Sequence, residues 1–345
     1  MVKEVKKGVF TYSIVVFFIL IFLISIYFLF LSKDFTCSDG TKNNECSDVK
    51  PYYCSNGNFI KNSSFCGCSS ISKAEKNDCL SKYETEANNV TLGYTLRGEN
   101  KSINFIAYKG VYDSLLKIPR YINSSENPTL LDFKLKNLDE KTQEEFLFPL
   151  VIQIQEITKD KEDQARIAIS LVQNIPFGKS DHPSYFTKEK KIDYQRYSYE
   201  VLYDLQGVCS EKSALLIFLL KKLGYGTAFI YYPIENHEAT GIKCPTAESL
   251  NHTGYCFIET TGPSIISDDK IEFVNIITLK STPQIIIISN GTSFGPNKYE
   301  YGDAETLNKI RANMRQYGAI NQIQSSQFES LKKKYGLVSF SAYTF

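Results

Sequence analysis

The spacing of apolar positions changes several times along this chain, and each change marks a different kind of element. Residues 9–31, "VFTYSIVVFFILIFLISIYFLFL", carry no charge and are long enough to cross a bilayer as one helix. Residues 32–80 show no period at all, and 81–100 are polar and read as a linker or the start of the next domain. "KSINFIAYKGVYDSLLKIPRYI" predicts a strand followed by a short helix. "LDEKTQEEFLFPLVIQIQEITKD" and "KEDQARIAISLVQNIPF" follow the helical period and predict two amphipathic helices, each opened by acidic residues. "GKSDHPSYFTKEKKIDYQRYSYEVLYDLQ", with Pro183 and many charges, reads as a long surface loop. Ala214 to Leu220 is apolar without a break, so it predicts a helix buried on nearly all sides. Lys221 and Lys222 suit its last turn, and Gly224 stands where a left-handed cap falls. After it the period changes: strands are predicted at 227–232, 237–243, 255–261 and 284–289, with a final helix from Asp303 to about Tyr317.

Helices first and a mostly antiparallel sheet afterwards, packed on the buried helix, make the body α+β. The divisions expected are a tail over 1–8, a membrane span over 9–31, a Cys-rich module over 32–80, a mixed part over 81–160 and a main domain over 161–345. The apolar run is too long for a signal peptide and leads into "SKDFTC", which offers no small-residue cleavage site. Lys3, Lys6 and Lys7 precede it against Glu4 alone, so the N-terminus is expected inside and everything after about residue 32 outside the cell, a single-pass type II arrangement. A net charge of +1 gives no reason to expect nucleic acid as a partner.

Cysteine usage bears on that orientation. Cys37, Cys46, Cys54, Cys66, Cys68 and Cys79 crowd a polar stretch that cannot build a core of its own, so three disulfides are expected, their connectivity open. No C-x-x-C pair supports a zinc site, and neither metal nor cofactor is called for. Cys244 and Cys256 flank a polar loop between two strands and read as a hairpin disulfide. Cys209 is left alone, and an unpaired cysteine outside the cell needs a purpose. Sequons at Asn62, Asn89, Asn100, Asn123, Asn251 and Asn290 are glycosylation candidates compatible with that location.

Cys209 falls at the first turn of the buried helix, where free N–H groups and the positive dipole end favour a thiolate. A thiol nucleophile needs an imidazole, and the imidazole an acceptor. Of three histidines, His182 and His252 lie in loops, whereas His237 opens a strand and Glu259 lies on the next. If Cys244 directly opposes Cys256, Glu259 faces Gly241, four residues from His237. A bulge, or a disulfide reaching across the loop, is then needed to bring the triad together. Each residue alone has a plainer reading, as core thiol, surface imidazole or solvated carboxylate; their order on helix, strand and next strand is what suggests catalysis. The Cys209 backbone N–H is one oxyanion donor, and Tyr203, Gln206 and Tyr199 are candidates for the second.

"GVCSEKSALLIFLLKKLGYG", "NHEATGIK" and "GYCFIETTGP" resemble the Cys-helix, His-strand and acid-strand segments of the transglutaminase-like superfamily over roughly residues 160–300. The resemblance implies a papain-like fold, with Cys209 as nucleophile, His237 as general base and then acid, and Glu259 as its orienter, where the superfamily usually has Asp. Residues 35–68 also resemble a small Cys-rich module of archaeal surface proteins. The activity implied is thiolate attack on an amide of cell-surface protein or peptide, through an acyl-enzyme, by a protease or cross-linking acyltransferase. The rival expectation is an inactive papain-like scaffold used for adhesion or assembly.

Overall fold

A computed structural model describes residues 15–22, 36–120, 122, 128–183, 185–186, 191–192, 194–270 and 279–337. The span expected over residues 9–31 lies outside these except for 15–22, which are helical with exposed apolar side chains. Among the described residues no helix is long and apolar enough to cross a membrane.

The Cys-rich module is two small hairpins, β1 (Tyr52–Ser55) with β2 (Asn58–Lys61) and β3 (Ser72–Glu75) with β4 (Asp78–Ser81), around a single helical turn α1 (Ser63–Cys66). Three disulfides hold it, Cys37–Cys54, Cys46–Cys66 and Cys68–Cys79. Next come a long hairpin, β5 (Ala87–Leu96) and β6 (Glu99–Tyr108), and helices α2 (Lys109–Leu116), α3 (Leu130–Leu138), α4 (Lys141–Ile157) and α5 (Lys161–Gln173). A two-residue pair, β7 (Tyr185–Phe186) and β8 (Lys191–Ile192), precedes α6 (Ser198–Asp204) and α7 (Cys209–Lys222). Strands β9 (Gly226–Tyr232), β10 (His237–Lys243), β11 (Tyr255–Ile258) and β12 (Gln284–Asn290) form an antiparallel sheet in the order β11-β10-β9-β12, and α8 (Tyr299–Tyr317) and α9 (Gln322–Tyr335) close the described chain.

The body is α+β, with α7 at its centre. Every residue from Glu211 to Leu220 is buried, which is why the run carries no polar stripe. One apolar cluster extends from Val49 and Tyr52 through β5, β6, α4 and α5 to α7 and the sheet, ending at Tyr301. The Cys-rich module joins it through Tyr52 and Phe59, whose rings sit 4.8 and 5.1 Å from that of Phe148 on α4. Gly224 follows α7 at φ +94°, and a Cβ there would lie 2.6 Å from the Ser38 carbonyl, so both backbone angle and module contact require glycine.

Several expectations need correcting. Of the two readings of residues 81–100, linker gives way to the start of the next domain, because 87–96 are strand β5: Val90, Leu92 and Tyr94 are buried, a two-residue alternation among exposed Asn and Thr. The stretch over 178–206 is not all surface loop, since Arg196, Tyr197 and Tyr199 are fully buried and α6 follows. The final helix begins at Tyr299, and a second one, α9, packs on it through Phe328 and Leu331. Strand β11 stops at Ile258.

Candidate active site

Helix α7 is positioned by buried charge at its start. Glu211 accepts the Val208 N–H at 2.9 Å and the Arg196 N–H at 2.7 Å, and its carboxylate pairs with the Arg196 guanidinium at 3.2 Å. Arg196 also donates to Asp204 at the end of α6 and to the Gly178 carbonyl. Burial pushes the Glu211 carboxyl up, and the N–H groups and guanidinium that face it pull the other way. Gly207 makes the close approach: its N–H donates to the Pro176 carbonyl, and a Cβ would meet Lys212 and Val201 at 3.1–3.3 Å. Val208 has no side-chain oxygen to cap the helix, so the first-turn N–H groups beside Cys209 receive no cap from it.

Cys209 is the free cysteine, half-buried, and the other described eight are paired, Cys244 with Cys256. His237 is the first residue of β10, carried by the four-residue turn after Tyr232. Glu235 in that turn accepts hydrogen bonds from Ser281 and Lys280, which hold its carboxyl down near about 2 and fix the turn. His237 Nε2 lies 3.0 Å from Glu259 Oε2, and the Cys209 thiol is hydrogen-bonded to the same ring, which leaves Nδ1 as the nitrogen toward sulfur. Glu259 is fully buried, and its second oxygen accepts the Thr261 N–H at 2.7 Å and hydroxyl at 2.6 Å. Burial disfavours the imidazolium, but the hydrogen bonds to Cys209 and Glu259 and the carboxylate charge outweigh it, so His237 is pushed up to about 10.

The register explains how the acid reaches the imidazole. Ile242 pairs with Cys256 and Thr240 with Ile258, so Cys244 lies two residues past the position opposite Cys256 and the disulfide runs diagonally. Of the two arrangements expected to bring the acid to the imidazole, the disulfide reaching across the loop is the one found. Continued past Ile258, this register sets Glu259 opposite Ala239, two residues from His237 and on its face. No bulge is needed. The neighbouring Glu238 has the opposite parity, is buried, and pairs with Lys134 from α3 at 2.5 Å. Hydroxyls join the acid loop to α7: Thr260 Oγ1 donates to the Cys209 carbonyl at 3.4 Å and shares a hydrogen bond with Ser213 Oγ at 3.1 Å.

The other sequence candidates are placed as follows. Tyr199 is buried and committed elsewhere, its hydroxyl accepting the Tyr108 N–H at 2.6 Å and donating to the Tyr108 carbonyl at 3.4 Å, so it is no oxyanion donor. Tyr203 is stacked on Tyr112 at 4.5 Å. Gln206 is half-buried, with its oxygen against Gly178. Gln195, which the sequence did not single out, reaches the start of α7, its amide 3.5 Å from Ser210 Oγ. His182 bonds the Tyr112 hydroxyl at 2.9 Å, and His252 sits exposed in the hairpin tip. Asn89, Asn100, Asn251 and Asn290 are exposed, Asn62 is half-buried and caps α1, and Asn123 lies outside the described residues. No family model, curated protein or solved structure matches this chain.

Proposed function

We propose that the protein is a transglutaminase-like thiol enzyme with a papain-like core, anchored in the membrane by residues 9–31 and acting outside the cell on amide bonds of surface protein or peptide. The observation that carries this reading is the His237 ring, hydrogen-bonded at once to the Cys209 thiol and the Glu259 carboxylate at a helix start that Val208 does not cap. Four disulfides and exposed sequons support the location. The glycosylation of those sequons is part of the proposal.

With His237 protonated at neutral pH, the resting pair is imidazolium beside sulfur. Sγ attacks the amide carbonyl carbon, and the displaced electron pair on oxygen faces the first-turn N–H groups of α7. Collapse of this tetrahedral species breaks the C–N bond, and the leaving nitrogen takes the Nδ1 proton, leaving a thioester. Water or an amine then attacks the thioester, passes its proton to His237, and releases the carboxylic acid or a new amide with Sγ restored. Glu259 holds the ring so that Nδ1 faces sulfur throughout.

The test is iodoacetamide labelling of the full chain at pH 6, read by mass spectrometry, with Cys209→Ser and His237→Ala as controls. Rapid alkylation of Cys209 that collapses in His237→Ala supports the reading. A wild-type Cys209 no faster than a free cysteine at that pH refutes it and leaves the scaffold.

A further inference from the structure

The last residue of α5 is gripped from two directions. Lys212 Nζ, on the helix that carries Cys209, donates to the Gln173 carbonyl at 3.4 Å and to the Ile175 carbonyl. The Gln173 side-chain amide donates to the Glu259 carbonyl at 2.9 Å, to Ser264 Oγ at 3.0 Å and to the Ser264 carbonyl at 3.3 Å. Both residues are buried, Lys212 completely and Gln173 at 5 % exposure. A buried ammonium is costly without partners that use its donors, and the positions after it on α7 are Ser213 and an unbroken apolar run.

Glu259 needs such support. It lies past the last ladder pair, Thr240 with Ile258, so the sheet does not hold its backbone. We propose that Lys212 and Gln173 are positioning residues for Glu259, a buried relay that ties the acid loop to the helix of the nucleophile. The relay closes a ring: from α7 through Lys212 to the end of α5, through Gln173 to Glu259, and through His237 back to Cys209, one turn before Lys212 on the same helix. The pieces that carry thiol, imidazole and carboxylate are thereby held in one register. Burial draws the Lys212 ammonium down to about 8, and the Glu259 charge partly restores it, which marks the cation and the acid as electrostatic neighbours.

A plainer role for Lys212 is to cap the carbonyls at the end of α5. That role predicts lost stability and nothing at His237, whereas the relay predicts a change at the imidazole. Gln173→Leu and Lys212→Gln in the full chain separate them, read by NMR titration of the His237 ring and by the iodoacetamide rate at Cys209. Because the proposal rests on the reading above only for the second measurement, a slow wild-type thiol sinks that reading while the ring titration still decides the relay. The expected result for Gln173→Leu is a folded protein whose His237 midpoint falls by about one pH unit and whose alkylation slows by about tenfold or more. If Lys212→Gln fails to fold, Gln173→Leu decides alone. A lower melting temperature with a His237 midpoint within about 0.2 pH units of wild type overturns the relay.

Discussion

Replacing Glu259 by Gln tests the site most sharply, because both carboxylate oxygens are already used as acceptors. Oε1 takes two donors from Thr261, and Oε2 takes the imidazole Nε2–H. An amide has one oxygen to offer. Left on Thr261, where two donors meet it, the oxygen turns the NH2 toward His237, so Nε2 must become the acceptor and Nδ1–H faces sulfur. The ring then cannot receive a proton at Nδ1. The sequence alone suggests a mild substitution, since Gln retains an acceptor; the Thr261 donors remove that option. The electrostatic part can be estimated. Opposite charges about 4 Å apart at an effective dielectric near 20 attract by about 4 kcal/mol, or about three pH units at the imidazole. His237 should therefore fall from about 10 to about 7. The corresponding carboxylate-to-amide change in a serine triad costs roughly 10⁴ in turnover through the wrong tautomer, and a loss of roughly 10³ to 10⁴ is expected here. Ring-proton NMR of the full chain measures the midpoint, and with three histidines His182→Gln and His252→Gln complete the assignment. A midpoint still near 10, or an alkylation rate within about threefold of wild type, would refute the argument.

Three further outcomes follow from the same contacts. Arg196→Met leaves Glu211 buried without its cation and should cost about 3–5 kcal/mol in urea unfolding; a loss below about 1 kcal/mol means the pair does not organise the helix start. Cys244→Ala with Cys256→Ala opens a short loop, with an expected cost of about 3 kcal/mol and a drop in the Cys209 alkylation rate as β11 loosens; an unchanged rate contradicts the link from disulfide to acid. His237 is raised from its ordinary 6.5, so its protonated ring stabilises the fold fully below about pH 6.5. That contribution declines as pH climbs toward 10, where it is gone, and is at most about 5 kcal/mol. Stability of wild type relative to His237→Gln should shrink across this window, and a constant difference from pH 6 to 10 would show that the ring is not raised.

Much of the site could be read from local chemistry. The run from Ala214 to Leu220, closed by Lys221, Lys222 and Gly224, reads as a buried helix, and the short segments at 227–232 and 237–243, buried along nearly their whole length, as strands against it. Cysteine spacing alone separated eight paired thiols from Cys209. What escaped depends on partners far away in sequence. Strand β5 hid because Asn and Thr occupy its solvent face, which makes the average polar although Val90, Leu92 and Tyr94 alternate inward. Arg196 looked like one charge in a charged loop, and its burial is intelligible only once Asp204 and Glu211 surround it. The offset of β11 was left open between a bulge and a disulfide across the loop, since a hairpin disulfide is compatible with more than one pairing, and only the register decides for the second. Lys212 and Gln173 give no local signal either: a lysine between Glu211 and Ser213 reads as solvated until the end of α5 is placed over it.

The close approach of Gly224 to Ser38 has a consequence for the side from which Cys209 can be reached. Ser38 immediately follows the first disulfide cysteine, so the chain enters the folded body against the C-terminal end of α7, while Cys209 stands at the other end. Fourteen residues of helix separate the two, a rigid strut of about 20 Å. The thiol therefore stands at the end of α7 remote from the point where the described chain enters the body. A partner that approaches the body from the Ser38 side thus meets the C-terminal end of α7, whereas one that approaches from the opposite side meets Cys209 first.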